Sequence, residues 1–70
     1  MSELSKSKPL DELGLSVKTY NCLRRAGVST IDDLTRMTKD DMMRVRNLGR
    51  RSLEEIIGKM ELMGYELREE

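Results

Sequence analysis

The chain repeats its own pattern at an offset of 22 residues, and this repeat limits the fold more than any other feature of its 70 residues. Both copies contain an aliphatic residue, a glycine, a hydroxyl residue and an acid in one order: Leu23, Gly27, Thr30 and Asp33, then Val45, Gly49, Ser52 and Glu55. Glycine adopts a positive φ without steric cost, and a hydroxyl with an acid three positions later is a capping box. Each copy therefore predicts a helix, a glycine turn and a second helix.

Two such copies predict a tandem helix-hairpin-helix, and the expected fold class is all-α. We expect a compact four- to five-helix domain of the SAM-like bundle type. A turn or short helix is predicted near residues 10–15, followed by helices over about 16–26, 31–37, 39–46 and 50–63. No segment shows the alternating pattern of a strand. Residues 1–8 are predicted to be a disordered leader or linker, 9–67 the domain and 68–70 a tail.

The residue content excludes several kinds of site. Histidine, tryptophan and phenylalanine are absent and there is one cysteine, so neither an internal disulfide nor a zinc site is expected. Cys22 is predicted to be a small buried apolar residue, and Met42, Met43, Met60 and Met63 are expected to fill the core. The carboxylates have no histidine, cysteine cluster or phosphate-binding glycine loop beside them, so neither catalysis nor a cofactor is predicted. We expect a cytoplasmic protein, because the N-terminus lacks a long apolar run.

The charges are unevenly distributed although the net charge is zero. Residues 18–25 include three basic residues and no acid, and residues 42–53 include four arginines and no acid. The acids occur in other segments, mostly in pairs such as Asp32 and Asp33. This arrangement predicts a protein with one basic and one acidic surface.

The two copies of the repeat differ between the glycine and the hydroxyl residue. The first has Val28 and Ser29 there, whereas the second has Arg50 and Arg51. Cations at a helix N-terminus oppose the helix dipole, but a bound phosphate removes that cost. The first hairpin is therefore predicted to pack and the second to contact phosphate. Ser52 is expected to cap the last helix.

Three polar residues of the first predicted helix extend this surface. Lys18, Asn21 and Arg24 follow one another at intervals of three, so we expect them on one helix face. Lysine and arginine reach phosphates or the minor groove, and asparagine bonds to backbone or base edges.

Three segments together resemble the C-terminal domain of the bacterial RNA polymerase α subunit: Leu15 to Leu23, Ile31 to Leu34, and Asn47 to Leu53. The resemblance covers about residues 9–67. It implies a compact helical domain on a flexible linker that binds A/T-rich upstream promoter DNA across the minor groove. It also implies contacts with transcription activators and the σ factor, attachment to the RNA polymerase core when tethered, and a nucleoid-associated location.

The resemblance also implies positions for these contacts. With Arg50 added from the repeat, the DNA surface comprises Lys18, Asn21, Cys22, Arg24, Asn47, Gly49, Arg50, Arg51, Ser52 and Glu55. Glu55 is expected to orient the cationic groups. The expected σ-facing patch is Asp11, Glu12 and Gly14, and the expected activator-facing patch is Thr38, Lys39, Asp40 and Asp41.

Two positions depart from the family pattern. Lys18 stands where the family usually has arginine, and lysine is more strongly hydrated and lacks the planar fork of arginine. Gly14 replaces an acid that is frequent in the σ-facing patch. Two alternatives to promoter binding stay open: a protein-interaction adapter for the σ factor or activators that does not bind DNA, and a non-specific helix-hairpin-helix module of a repair protein.

Overall fold

The computed structural model describes residues 8–69, and the predicted leader lies outside these residues except for Lys8. The described residues form a 3-10 helix and four α-helices: the 3-10 helix Leu10–Leu13, α1 Val17–Arg25, α2 Ile31–Thr35, α3 Lys39–Met43 and α4 Arg50–Leu62. Residues 8–69 also include an isolated antiparallel β-bridge between Pro9 and Thr30, which lies outside any strand. The all-α prediction and the two helix-hairpin-helix units are confirmed.

Local capping residues explain where the three short helices begin. The side chain of Ser16 accepts a hydrogen bond from the backbone of Thr19 at the start of α1. Capping boxes begin α2, through Thr30 and Asp33, and α3, through Thr38 and Asp41. The sequence spacing predicted both boxes. They satisfy amides that would otherwise lack a partner in the first helical turn.

The core lies between the 3-10 helix and the inward faces of all four helices. Its fully buried side chains are Leu10, Leu23, Ile31, Leu34, Met42, Ile56 and Met60. The prediction that four methionines fill the core is wrong for two of them. Met43 is 64% exposed and Met63 is 37% exposed. Met43 follows the buried Met42, and adjacent residues of a helix point about 100° apart.

The first hairpin, residues 26–30, is closed and covered. Gly27 has a φ of 90°, and Val28, which is buried, donates its amide hydrogen to the carbonyl of Leu23 at 3.0 Å. The preceding segment covers the hairpin through two backbone hydrogen bonds, from Leu10 to Ser29 at 3.1 Å and from Ile31 to Lys8 at 2.9 Å. These contacts agree with the prediction that the first hairpin packs.

The second hairpin, residues 44–49, differs from its prediction in two ways. The residue with positive φ is Asn47, at 66°, whereas Gly49 has a φ of −81°. Gly49 is also the N-cap of α4, so α4 begins at Arg50 with no capping hydrogen bond from a side group. Ser52 therefore lies inside the helix, and its predicted capping role is wrong. Relative to the repeat, α4 begins three residues early.

Candidate nucleic-acid interface

Four polar residues join the start of α1 to the first turns of α4, and we call them the cross-helix cluster: Ser16, Thr19, Ser52 and Glu55. The hydroxyl oxygen of Thr19 lies 2.7 Å from Oε1 of Glu55 and 3.0 Å from the hydroxyl of Ser52. Ser16 donates to Glu55 through both its backbone amide and its hydroxyl. Thr19 is almost fully buried. The hydroxyl and the acid that would form a capping box in α4 thus bind α1 instead.

The carboxylate of Glu55 is stabilised in its charged form. Burial by itself raises the pKa of Glu55, but the backbone hydrogen bond from Ser16 and the hydroxyl bonds from Thr19 and Ser16 outweigh it. Lys59, one turn further along α4, adds a smaller attraction, and the pKa is lowered overall. Glu55 thus bonds directly to α1, and its expected role in orienting the cationic groups stays a prediction.

The first turn of α4 has no partner of its own for its amides. The N-cap Gly49 offers no side-chain acceptor, and no acid lies in the first turn. Arg50 and Arg51 are both exposed there. Unpaired amides and the positive end of the helix dipole attract anions. Gly49, Arg50 and Arg51 are exposed, so this helix end faces solvent. It lies next to the surface of α1, because Ser52 is bound to Thr19 of α1.

Between α1 and the second hairpin lies an open groove of about 840 Å³, which we call the basic groove. Its lining contains four cations and one acid, and the lining residues are Lys18, Cys22, Arg25, Ala26, Asp41, Arg44, Val45, Arg46 and Asn47. Lys18, Cys22 and Asn47 were predicted from the sequence. Cys22 is buried, as predicted, and its thiol donates to the carbonyl of Arg46 at 3.0 Å. Cys22 thus joins the two walls of the groove.

Sequence reasoning missed three cations of this groove: Arg25, Arg44 and Arg46. It placed Arg24 beside Lys18, but the guanidinium of Arg24 lies 5.9 Å from the ring centre of Tyr20. The better signal was the spacing of Lys18, Cys22 and Arg25 at i, i+4 and i+7, which is closer to the helical period.

The remaining predicted DNA residues, Asn21, Gly49, Arg50 and Arg51, are all exposed. Asn21 is exposed on α1, and Arg51 is exposed on α4. Arg50 and Gly49 line a different groove, together with Lys39, Met43, Leu48, Leu53, Glu54 and Ile57. Arg50, at the start of α4, thus lines a groove other than the basic groove.

The predicted σ-facing patch lies on the 3-10 helix and its C-terminal cap, Gly14. Asp11 accepts a hydrogen bond from the hydroxyl of Tyr20 at 3.0 Å, and Glu12 pairs with Lys8 at 3.9 Å. Gly14 has a φ of 70°, and a side chain built there would approach Nζ of Lys59 at 4.0 Å. The positive φ gives a physical reason for glycine at a position where an acid was expected.

The predicted activator-facing patch is the start of α3. Thr38 is buried and Asp41 is half-buried, because they form the capping box, whereas Lys39 and Asp40 are exposed. The backbone hydrogen bond from Thr38 holds the pKa of Asp41 below its usual value, helped by the charges of Arg68 and Arg44. Lys39 and Asp40 are the members of this patch that are open to a partner.

Residues 8–69 meet neither the requirements of a metal site nor those of a membrane-spanning helix. They contain no cluster of three or more His, Cys, Asp or Glu residues arranged to hold a metal ion. No helix in the same range is long and apolar enough to cross a membrane.

Comparison with known proteins identifies strong similarities. Residues 2–62 match the family described as the C-terminal domain of the alpha chain of bacterial RNA polymerase. The sequence is 55% identical over 62 residues to the DNA-directed RNA polymerase subunit alpha of Carboxydothermus hydrogenoformans, and 56% identical over 59 residues to that of Heliobacterium modesticaldum. These matches cover 89% and 84% of this chain but only 20% and 19% of the two relatives. The chain thus spans about a fifth of their length.

A solved structure has the same fold. It is the NMR structure of the C-terminal domain of the RNA polymerase alpha subunit from Helicobacter pylori, with a TM-score of 0.78 and 22% sequence identity. The match covers 96% of this chain and 70% of the other.

Proposed function

Because the chain belongs to the family of C-terminal domains of the bacterial RNA polymerase α subunit, we propose that it is a DNA-binding module of the transcription machinery. Its target is A/T-rich upstream promoter DNA, bound through phosphates and the minor groove. The observation that carries this proposal is the start of α4, which has uncapped amides and two arginines. The cross-helix cluster holds this helix start against α1 through Ser52 and Glu55.

The proposed binding mode has two parts. A phosphate sits at the amides of Gly49 to Arg51, where the helix dipole and Arg51 both favour an anion. Lys18 and Asn21 then face the minor groove from α1. The contact between Thr19 and Ser52 supports this arrangement, because these two residues directly follow Lys18 and Arg51 in the sequence. The cluster holds both contacts in one rigid relation before DNA arrives, which lowers the entropic cost of binding.

Lysine at position 18 sets an expectation for selectivity. A narrow A/T-rich minor groove has an enhanced negative potential that attracts cations. Lysine responds to this potential but loses more hydration than arginine does. We therefore expect a preference for A/T-rich duplex that Lys18→Arg strengthens.

Protein partners complete the proposal. The exposed Lys39 and Asp40 on α3 form the activator-facing patch, and Asp11 and Glu12 within the 3-10 helix face the σ factor. The RNA polymerase core is the partner when the domain is tethered to it, as the names of the relatives imply. Tethering raises the effective concentration of a weak DNA contact at the promoter.

The test is a titration of A/T-rich and G/C-rich duplexes by the parent, Lys18→Ala and Arg51→Ala proteins at several salt concentrations. The logarithm of the binding constant should fall with the logarithm of salt by about 0.9 per phosphate contacted. Lys18→Ala should lose the A/T preference, and Arg51→Ala should weaken both duplexes equally. Arg36→Ala is the matched control, because it also removes one exposed arginine. Arg36 lies at the C-terminal end of α2, where it pairs with Asp32.

Three outcomes would contradict the proposal in different ways. Unchanged DNA binding by Lys18→Ala and Arg51→Ala would show that this surface does not contact DNA. Equal affinity of the parent for both duplexes would favour a non-specific module. Capture of a transcription factor that survives charge reversal at Arg50 and Arg51, but not at Asp40 and Asp41, would favour an adapter that does not use DNA.

A further inference from the structure

The basic groove concentrates positive charge in a protein whose net charge is zero. Lys18 and Arg25 line one wall, and Arg44 and Arg46 line the other. The one acid of the lining is Asp41, and its carboxylate is already held by the backbone of Thr38 at 3.0 Å and by Arg68 at 4.0 Å. The charge available to a ligand in the groove is therefore strongly positive.

The two walls have a defined spacing. The thiol of Cys22 donates to the carbonyl of Arg46, which joins α1 to the second hairpin across the floor. Asn47 adopts a left-handed conformation that turns the backbone immediately after Arg46. A site with fixed walls and several cations is suited to an extended polyanion.

We propose that the basic groove binds one strand of the DNA backbone, with Arg25, Arg44 and Arg46 contacting phosphates beyond those at α4. The proposal rests on the proposed function and deepens it, because Lys18 and Asn47 belong both to the groove and to the expected DNA surface. Lys18 and Arg25 are seven residues apart on α1, a rise of about 10 Å. One DNA strand advances by about 3.4 Å per phosphate along the axis, so the wall spans roughly three nucleotides.

DNA fits this groove better than an acidic protein segment does. The apolar residues of its lining are Ala26, Val45 and the buried Cys22. Its Lys18 and Asn47 continue into the expected DNA surface, and this continuity favours a DNA strand as the polyanion. Phosphate contacts carry no sequence information by themselves. The three arginines should therefore add affinity and salt dependence without changing the A/T preference.

The experiment compares the parent with Arg25→Gln, Arg44→Gln, Arg46→Gln and the triple variant on both duplexes. Each single variant should reduce the salt slope by about 0.9, and the triple variant should bind about tenfold or more weakly at low salt. The ratio of A/T to G/C affinities should stay at the parent value. Glutamine preserves the backbone carbonyl of residue 46, and thermal unfolding monitored by circular dichroism shows that each variant is folded.

The controls separate this inference from the proposed function. Arg36→Gln should leave the slope unchanged. If the triple variant keeps the parent slope while Lys18→Ala and Arg51→Ala weaken binding, the groove proposal is overturned and the proposed function stands. If all of these variants bind as the parent does, both fail. Loss of binding to polyglutamate by the triple variant, with duplex binding intact, would also overturn the proposal and identify a protein-binding surface.

Discussion

The two hairpins occupy equivalent places in the 22-residue repeat but use the same residue types differently. In the first hairpin, Thr30 and Asp33 cap their own helix, and the segment around the start of the 3-10 helix covers the turn. In the second hairpin, the equivalent Ser52 and Glu55 bind α1, and α4 begins three residues earlier at Arg50. The first helix end is thus satisfied internally, whereas the second stays available to an anion.

This difference shows how one motif serves both packing and binding. A helix start closed by its own capping box has little left to offer a ligand. At α4 the same two side chains hold a neighbouring helix in place and leave the amides uncovered. The basic residues then occur where the amides are open, at Arg50 and Arg51, and not at Val28 and Ser29.

The largest effect on stability is expected at Glu55. Glu55→Ala removes the acceptor of Ser16 and Thr19, and hydrogen bonds to a charged group contribute about 2 kcal/mol. Glu54→Ala, one residue away on the exposed side of α4, should have little effect. Denaturant unfolding of both variants measures the difference. Equal losses for the two variants would show that the cross-helix cluster contributes no stability of its own.

A smaller difference in stability is expected between alanine variants of the two glycines at equivalent positions of the repeat, Gly27 and Gly49. Gly27→Ala should cost about 1 kcal/mol, since alanine resists the left-handed region. Gly49→Ala should cost less, because Gly49 has a negative φ and a side chain there meets nothing within 4 Å, which leaves the poorer N-capping by alanine as the source of the loss. Thermal melting of the two variants is the measurement. A larger loss at Gly49 than at Gly27 would mean that the second hairpin turns at its glycine after all.

The smallest effect is a loss of stability in acid. The backbone hydrogen bond from Ser29 holds the pKa of Asp33 below its usual value, and the pKa of Glu55 is lowered by its bonds to Ser16 and Thr19 despite burial. Groups with a lowered folded-state pKa stabilise the fold above their unfolded pKa and lose that contribution as pH falls. Stability should be level above about pH 5 and decline below it.

Two variants separate the contributions of Asp33 and Glu55 to the loss of stability in acid. Asp33→Asn should flatten the part that belongs to the first hairpin, and Glu55→Gln the part that belongs to the cross-helix cluster. Urea unfolding across the acidic to neutral pH range measures both. A decline that begins near neutral pH would contradict the assignment to these carboxylates.

The sequence predicted those features that depend on neighbouring residues. The boxes at Thr30 and Thr38 were predictable, because the hydroxyl and its acid are three positions apart and bind each other. Ser52 and Glu55 have the same spacing, but their partners Ser16 and Thr19 lie 33 or more positions away. A local pattern does not contain such tertiary competition, so the predicted capping role of Ser52 was wrong, although the predicted start of the last helix near residue 50 was right.

The basic groove was partly predictable for the same reason. The helical period alone would have joined Arg25 to Lys18 on α1. The opposite wall required the left-handed turn at Asn47, which the sequence pattern assigned to Gly49.

The most direct test of the account is the affinity of Gly49→Asp for duplex DNA. The space around Gly49 accepts a side group, and aspartate is a favoured N-cap that would occupy the free amides of α4 with its own carboxylate. We expect affinity to fall by about tenfold or more while thermal stability is kept or raised. Arg36→Ala, which changes the net charge by the same amount, should bind as the parent does. Parent-like affinity and salt dependence of Gly49→Asp would contradict the claim that the open start of α4 binds phosphate.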